Sequence, residues 1–404
     1  MEQCDVLVVG GGVAGTMAAI AAARKRCAVT LLERGGCLGG MWTAGLIGIT
    51  LDGKDKCALL DEFSSRVQKE TELSSATLFE TQKYILEEMC REAGVRVLYF
   101  AQVSETHEEN GVIRSVSYLS KSLKSEISPK IVIDATGDGD IAAMSGCAFD
   151  FGRPEDGKTQ PMSMVALLTG LNADAAEPYL ASKDKPFWTP RNNFRALTEK
   201  AGLSVSMGGC ANITRLAGDV YILSINQEYG RNGCSAQDIT DAVMDARQEI
   251  YHFVRQLKLR CPEIFGNIML LSTPEMIGVR ESRRIKCRYT VTLQDMLEGK
   301  RHEDAICTVH YWPDIHSPEK DAKGFSDGGL EIHPYDLPFR ALLPLGKENL
   351  LVAGRCIGGD FYAHSSYRVM GNMAAVGDAA GRAAARSIAS GAALKDLKYD
   401  KNTF

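Results

Sequence analysis

Apolar residues recur with two periods along this chain. Residues 6–9 form a short β-branched apolar run, which predicts a buried parallel strand. Residues 14–23 are small and helix-favouring, broken by Gly15 and Thr16, and 28–32 is a second apolar run ending on Glu33. Helical spacing returns at 59–67 and at 78–90, the second with Thr77 as its expected N-cap and an end near Gly94. A strand is expected at 95–100. The runs 102–107 and 112–119 flank Asn110-Gly111, a hairpin signal. A short buried strand is expected at 131–133.

Beyond Phe149 the pattern changes. Pro- and Gly-bearing polar stretches alternate with strand-like runs at 162–168, 220–225 and 268–272. One long helix is predicted over 236–258, opened by a Ser235/Asp238 capping box, with Ala242, Ala246, Ile250 and Phe253 on its apolar stripe. Near the end, 349–353 predicts a strand and 366–388 a helix rich in Gly and Ala, which suits packing on a flat ring or a sheet. Residues 394–404 are expected to form a polar tail.

The first turn carries chemistry. Gly10, Gly12 and Gly15 stand at G-x-G-x-x-G spacing between strand and helix, and Glu33 follows 18 residues after Gly15. Gly10 allows the sharp turn, Gly12 lets a pyrophosphate approach the backbone, and Gly15 brings the helix close to the sheet. The helix N-terminus favours phosphate, and Glu33 can accept from a ribose diol. An acid at this position argues against a 2′-phosphate.

A length of 404 residues suits two domains, and a net charge of −5 offers nothing for nucleic acid or an anionic membrane. The first strand leaves no room for a signal peptide, and no apolar helix is long enough to span a bilayer, so a cytoplasmic protein is expected. None of the 12 cysteines forms C-x-x-C or clusters with histidine at zinc spacing, so no metal is expected. Cys37 and Cys356 fall in glycine-rich loops and are the two candidates for cofactor tethering or redox work.

Four separated segments agree: GGGVAG at 10–15 with Glu33, GGCLGGMWTAG at 35–45, DATGDGD at 134–140, and VAGRCIGGDFYAHSSYRVMGNMAAVGDAAG at 352–381. Together they resemble FAD-dependent oxidoreductases of the glutathione-reductase-like fold, and more narrowly a bacterial "FAD-dependent oxidoreductase" family. GVRESRRI at 278–285 is similar to a recurrent element of that family. The resemblance implies an α/β fold: a Rossmann-like FAD-binding domain built from 1–148 and 339–404, with an inserted mixed α+β substrate or cap domain at 149–338. It implies that Gly10, Gly12 and Gly15, with Val13 and Ala14, hold the pyrophosphate, and Glu33 and Arg34 the adenosine ribose and base. Gly39, Gly40, Met41 and Thr43 would approach the phosphates and ring, while Val103, Ala135, Gly137 and Asp138 would flank the adenosine side. Arg355, Gly359 and Asp360 would lie by the ribityl chain, and Met370, Gly371, Asn372 and Met373 by the pyrimidine edge of the ring.

A disulfide reductase of this fold would carry a second G-x-G-x-x-G unit and a C-x-x-x-x-C pair, and neither occurs here. The expectation is therefore hydride transfer between FAD and a small organic substrate, anionic or hydroxylated. His364 is the first candidate base, with Tyr362 and Tyr367 as alternatives, and Arg280, Arg283 or Arg368 would pin a carboxylate. The rival is a C=C reductase of the fumarate-reductase-like type. A monooxygenase or a non-redox scaffold are further classes, and the charge speaks against an RNA partner. No motif names the electron donor or acceptor, and a homo-oligomer is compatible with the composition.

Overall fold

The computed structural model describes residues 2–73, 76–182, 184–321 and 326–400. The apolar run at the start becomes β1 (Glu2–Val9), followed by α1 (Val13–Arg24) and β2 (Val29–Leu32). Then come α2 (Ala58–Leu73), α3 (Leu78–Ala93), β3 (Arg96–Leu98), β4 (Gln102–Glu109), β5 (Val112–Ser120), β6 (Leu123–Asp134) and the short α4 (Asp140–Met144). These strands form one sheet in the order β3-β2-β1-β6-β5-β4, parallel from β3 to β6. The hairpin turn has both Asn110 and Gly111 at positive φ, as its sequence predicts.

β6 is longer than the expected 131–133. Its first half pairs antiparallel with β5, and its second half pairs parallel with Leu350–Val352 from the far end of the chain. Asn349 pins this junction: its Oδ1 accepts from Ile113 N at 2.8 Å, and its Nδ2 donates to the Ile113 and Lys130 carbonyls. The two chain ends thus share a sheet. They also share a helix pair, because the C-terminal helix Met370–Ser390 lies on α1.

That contact corrects the expectation of a ring or a sheet beneath the small residues. A Cβ at Gly377 would sit 2.1 Å from the Ala14 carbonyl oxygen, and one at Gly381 2.2 Å from that of Ala18. The expected helix over 366–388 is also two helices. Phe361–Tyr367 ends at Arg368, Val369 is extended, and Met370 starts anew. The Arg368 guanidinium is held by the carbonyls of Arg280 and Asp314 and by Gln160 Oε1, which fixes the break.

A second buried core runs from Met162 to Ile277, narrower than 149–338. It sits between a five-stranded sheet, including Val165–Thr169 and Val220–Ser224, and the helix Ala236–Arg260. The Ser235 box is half formed. Ser235 Oγ accepts from Asp238 N, but the Asp238 carboxylate accepts from Asn232 N. Segments such as Ala305–Val309 and Tyr335–Pro338 pack into the first core instead. No helix among the described residues is long and apolar enough to cross a membrane. The tail expected at 394–404 is described only as far as residue 400.

Candidate functional site

The turn from β1 to α1 is built as its glycines require. Gly10 has φ of +100°, and a Cβ there would lie 2.4 Å from the Ala135 carbonyl oxygen. A Cβ on Gly15 would lie 1.8 Å from the Gly10 carbonyl oxygen, so the helix seats directly on the turn. At Gly12 a Cβ would meet nothing within 4 Å. Gly12 is also the N-cap of α1 and no side chain caps it, which leaves first-turn N–H groups for a ligand. Glu33 is buried, its two oxygens accepting from Gly11 N and Gly35 N, each at 2.6 Å. A carboxylate has about four lone-pair sites, so two remain for a diol.

The second glycine turn rests on Asp134. This fully buried carboxylate accepts from Thr136 N, Thr136 Oγ1 and Ala142 N, bracing the loop from β6 into α4. Burial raises its pKa to about 6, against the pull of those hydrogen bonds. Beyond it Asp138 accepts from Ser282 Oγ at 2.6 Å and from Arg355 Nη2 at 2.9 Å.

Between these turns lies an open-mouthed cleft whose empty space, open solvent included, is about 1200 Å³. Gly10, Gly12, Val13, Ala14, Glu33 and Arg34 line one part of it. Gly40, Met41, Val103, Ala135, Gly137 and Asp138 line another, and Arg355, Arg368, Met370 and Met373 reach it from the C-terminal segment. An uncapped helix start, an open glycine face and a buried acid along one long cleft fit a dinucleotide.

Other sequence candidates lie behind the wall. Gly15 and Gly371 are packing positions; a Cβ on Gly371 would come 2.2 Å from the Asp52 carbonyl oxygen. Gly39 is left-handed, with φ of +100°, and buried Thr43 packs against it while donating to the Leu38 carbonyl. Asp360 caps Phe361–Tyr367 by accepting from Ala363 N, and also accepts from Leu293 N. The Gly359 carbonyl accepts from Arg284 Nε. Asn372 is buried, and its Nδ2 has no partner among the described residues. Cys37 and Cys356 are also off the cleft wall.

The first candidate base lies away from the cleft wall. His364 is 1% exposed, packs edge-on to Tyr367 with centroids 5.6 Å apart, and does not line the cleft. Burial holds its pKa well below the ordinary value. Its position in sequence, just before the cleft-facing helix, does not decide which way the ring points. Tyr362 and Tyr367 are also off the wall.

The arginines of GVRESRRIK divide the labour. Arg284 is buried, pairs with Glu281, and donates to the Gly152 and Gly359 carbonyls, tying three segments together. Arg283 donates to the Asp138 carbonyl and to Asp140 Oδ1. Arg280 donates to the Pro161 carbonyl and Ser163 Oγ. Of the arginines proposed to pin a carboxylate, only Arg368 lines the cleft.

The second lobe also supplies wall residues that nothing in the sequence singled out. Met276, Ile277 and Val279 lie on the wall, carried by a segment whose Gly278 pairs with Ser163 in a short antiparallel bridge. Met276 and Ile277 precede GVRESRRI, and Val279 within it is an ordinary apolar residue, so nothing marked the three as wall residues.

A comparison with curated proteins gives no match. Among solved structures, the myxobacterial chondrochloren halogenase CndH, described as a variant of FAD-dependent halogenases, covers all of this chain and 77% of its own, at 12% identity and a TM-score of 0.50. A geranylgeranyl bacteriochlorophyll reductase-like protein from Thermoplasma acidophilum covers 97% of this chain and 80% of its own, at 11% identity and a TM-score of 0.48. A p-nitrophenol 4-monooxygenase from Pseudomonas putida covers 98% and 82%, at 12% identity and a TM-score of 0.47. The family model described as FAD dependent oxidoreductase matches residues 5–402, nearly the whole chain, and the protein belongs to that family.

Proposed function

We propose that this FAD-dependent oxidoreductase is a dehydrogenase, passing a hydride between a small organic substrate and its flavin. One observation carries the reading. Met276, Ile277 and Val279 from the second lobe share a cleft with Met41, Met370 and Met373 from the first. An apolar wall of this kind excludes water from a transferring hydride.

FAD, when bound, supplies the two-electron acceptor. The chain's own residues do the rest. Gly12 and the open start of α1 would bind the pyrophosphate, and Glu33 and Arg34 the adenosine ribose and base. Gly137 and Asp138 would border the adenosine side, with Arg355 holding Asp138 in place. The start of the helix Met370–Ser390 would turn its positive end toward the ring, favouring the negative charge of a reduced flavin. The segment from Met276 to Val279 would cover the substrate, which gives the second lobe its role as a cap.

The second reading, a C=C reductase, draws on Arg280. Burial first, and then the neighbouring Arg368, lower its pKa to about 10. That loosens a guanidinium proton in the direction an arginine acid needs.

Anaerobic mixing of the yellow holoprotein with hydroxy acids, amines and sugars tests both. Bleaching of the flavin bands by one class supports the dehydrogenase. No bleaching by any class, with re-oxidation of chemically reduced protein by an enoate, transfers the case to the reductase.

A further inference from the structure

Arg280 is a deeply placed guanidinium with only neutral acceptors. Its Nη1 donates to the Pro161 carbonyl and to Ser163 Oγ, both at 2.6 Å. Among the described residues no carboxylate lies within 4.0 Å of it. It still keeps part of its surface accessible. Its own carbonyl accepts from Arg368 Nη1 at 3.0 Å, so the two arginines are neighbours.

The charges around them do not balance. Glu281 is committed to Arg284. Asp314 is shared, 3.2 Å from His316 Nε2 and 3.9 Å from Arg368 Nη2. Burial holds His316 at a pKa of about 4, so it is neutral at pH 7. Asp138 is taken by Arg355. Three guanidiniums, Arg280, Arg284 and Arg368, thus share two carboxylates, Glu281 and Asp314. A buried charge is normally paired, and one positive charge here is left over.

Tyr311 lies within reach of the Arg368 charge. Tyr311 takes Ser366 Oγ on its carbonyl and lies 5.3 Å from Trp312, centroid to centroid. Trp312 is 6.2 Å from Phe187, and these two rings are exposed at the surface.

We propose that Arg280, with Arg368 beside it, seats the carboxylate of the organic substrate. This rests on the reading that a small organic substrate reacts in the cleft. A carboxylate matches the donor fork of a guanidinium and supplies the missing negative charge. Arg368 lines the cleft and Arg280 follows Val279, which also lines it, so an acid held there reaches the apolar wall.

The test is binding to the holoprotein, followed by perturbation of the flavin bands and by calorimetry. Phenylacetate is the probe, a small carboxylic acid, and uncharged phenylacetamide of nearly the same shape is its control. The expected result is at least tenfold tighter binding of the acid. Arg280→Gln should abolish that preference while flavin content stays stoichiometric, and Arg280→Lys should retain part of it. Equal affinity for acid and amide in the unaltered protein overturns the proposal without any variant, as does unchanged phenylacetate affinity in Arg280→Gln. Acid-selective binding without bleaching by any hydroxy acid, amine or sugar leaves the seat standing and removes the dehydrogenase reading. Bleaching by neutral alcohols and hydroxy acids alike, undiminished in Arg280→Gln, keeps that reading and removes the seat.

Discussion

The seam between α1 and the helix Met370–Ser390 is where the two chain ends are held in register around the cleft, and Gly377→Ala tests it. The added Cβ would stand 2.1 Å from the Ala14 carbonyl oxygen, whereas ordinary contact begins near 3.4 Å. The obstacle is helix backbone, which cannot rotate away as a side chain can. Overpacking of this kind costs about 1–3 kcal/mol, and a rigid backbone partner puts the cost near the top, about 3 kcal/mol. The better helix propensity of alanine returns about 1 kcal/mol, leaving a net loss of about 2 kcal/mol. Ala14 lies on the cleft wall, so opening the seam moves the start of α1 as well. Urea unfolding and flavin content, measured on the same samples, should show a lower midpoint and partial loss of flavin. Gly381→Ala, one turn further along the same seam, should add less than its own single effect, because both open the same gap. Exposed Arg386→Ala in the same helix should change neither quantity. Gly377→Ala with an unchanged midpoint and full flavin would refute the claim that backbone contact at this seam sets the cleft.

Gly12→Glu should fold and be colourless, since a Cβ there meets nothing but the carboxylate enters the phosphate site; stoichiometric absorbance at the flavin bands would contradict that. Arg284→Met leaves Glu281 charged and unpaired in the interior, so chemical unfolding should show a loss of about 3–5 kcal/mol. His316 titrates near 6.5 when unfolded and at about 4 when folded, so the unfolded state binds more protons between those values. As pH falls from 6.5 to 4 the protein should therefore lose about 3 kcal/mol relative to His316→Gln. Asp134, raised to about 6, shifts stability the opposite way in both proteins, which is why the comparison with the variant is the measurement.

The turn after β1 was legible because each glycine there answers a steric demand: a positive φ at Gly10, a helix seated on a carbonyl at Gly15, open space at Gly12. Residue type alone carries that information. The first half of β6 was not legible, because Lys124, Ser125, Glu126 and Pro129 lack the apolar alternation of a strand; pairing with β5 and β1 supplies what local propensity does not. Nor was the break before Met370, since Arg368, Val369 and Met370 are all tolerated in helices, and the interruption is imposed by partners on Arg280, Gln160 and Asp314.

The same contrast explains why the sequence marks the cofactor residues one by one but offers Arg280, Arg283 and Arg368 only as alternatives for holding a carboxylate. A dinucleotide is gripped by backbone, and a backbone that comes close enough to grip it must be glycine, at fixed spacing, in one continuous stretch. A carboxylate is gripped by side chains that need only meet in space. Arg280, Arg368 and Asp314 come from three segments joined by no motif, and His364, though only four residues from Arg368, points into the core. Spacing along the chain therefore points to the residues proposed to hold FAD, whereas the unpaired charge of Arg280 is what the proposed substrate seat rests on.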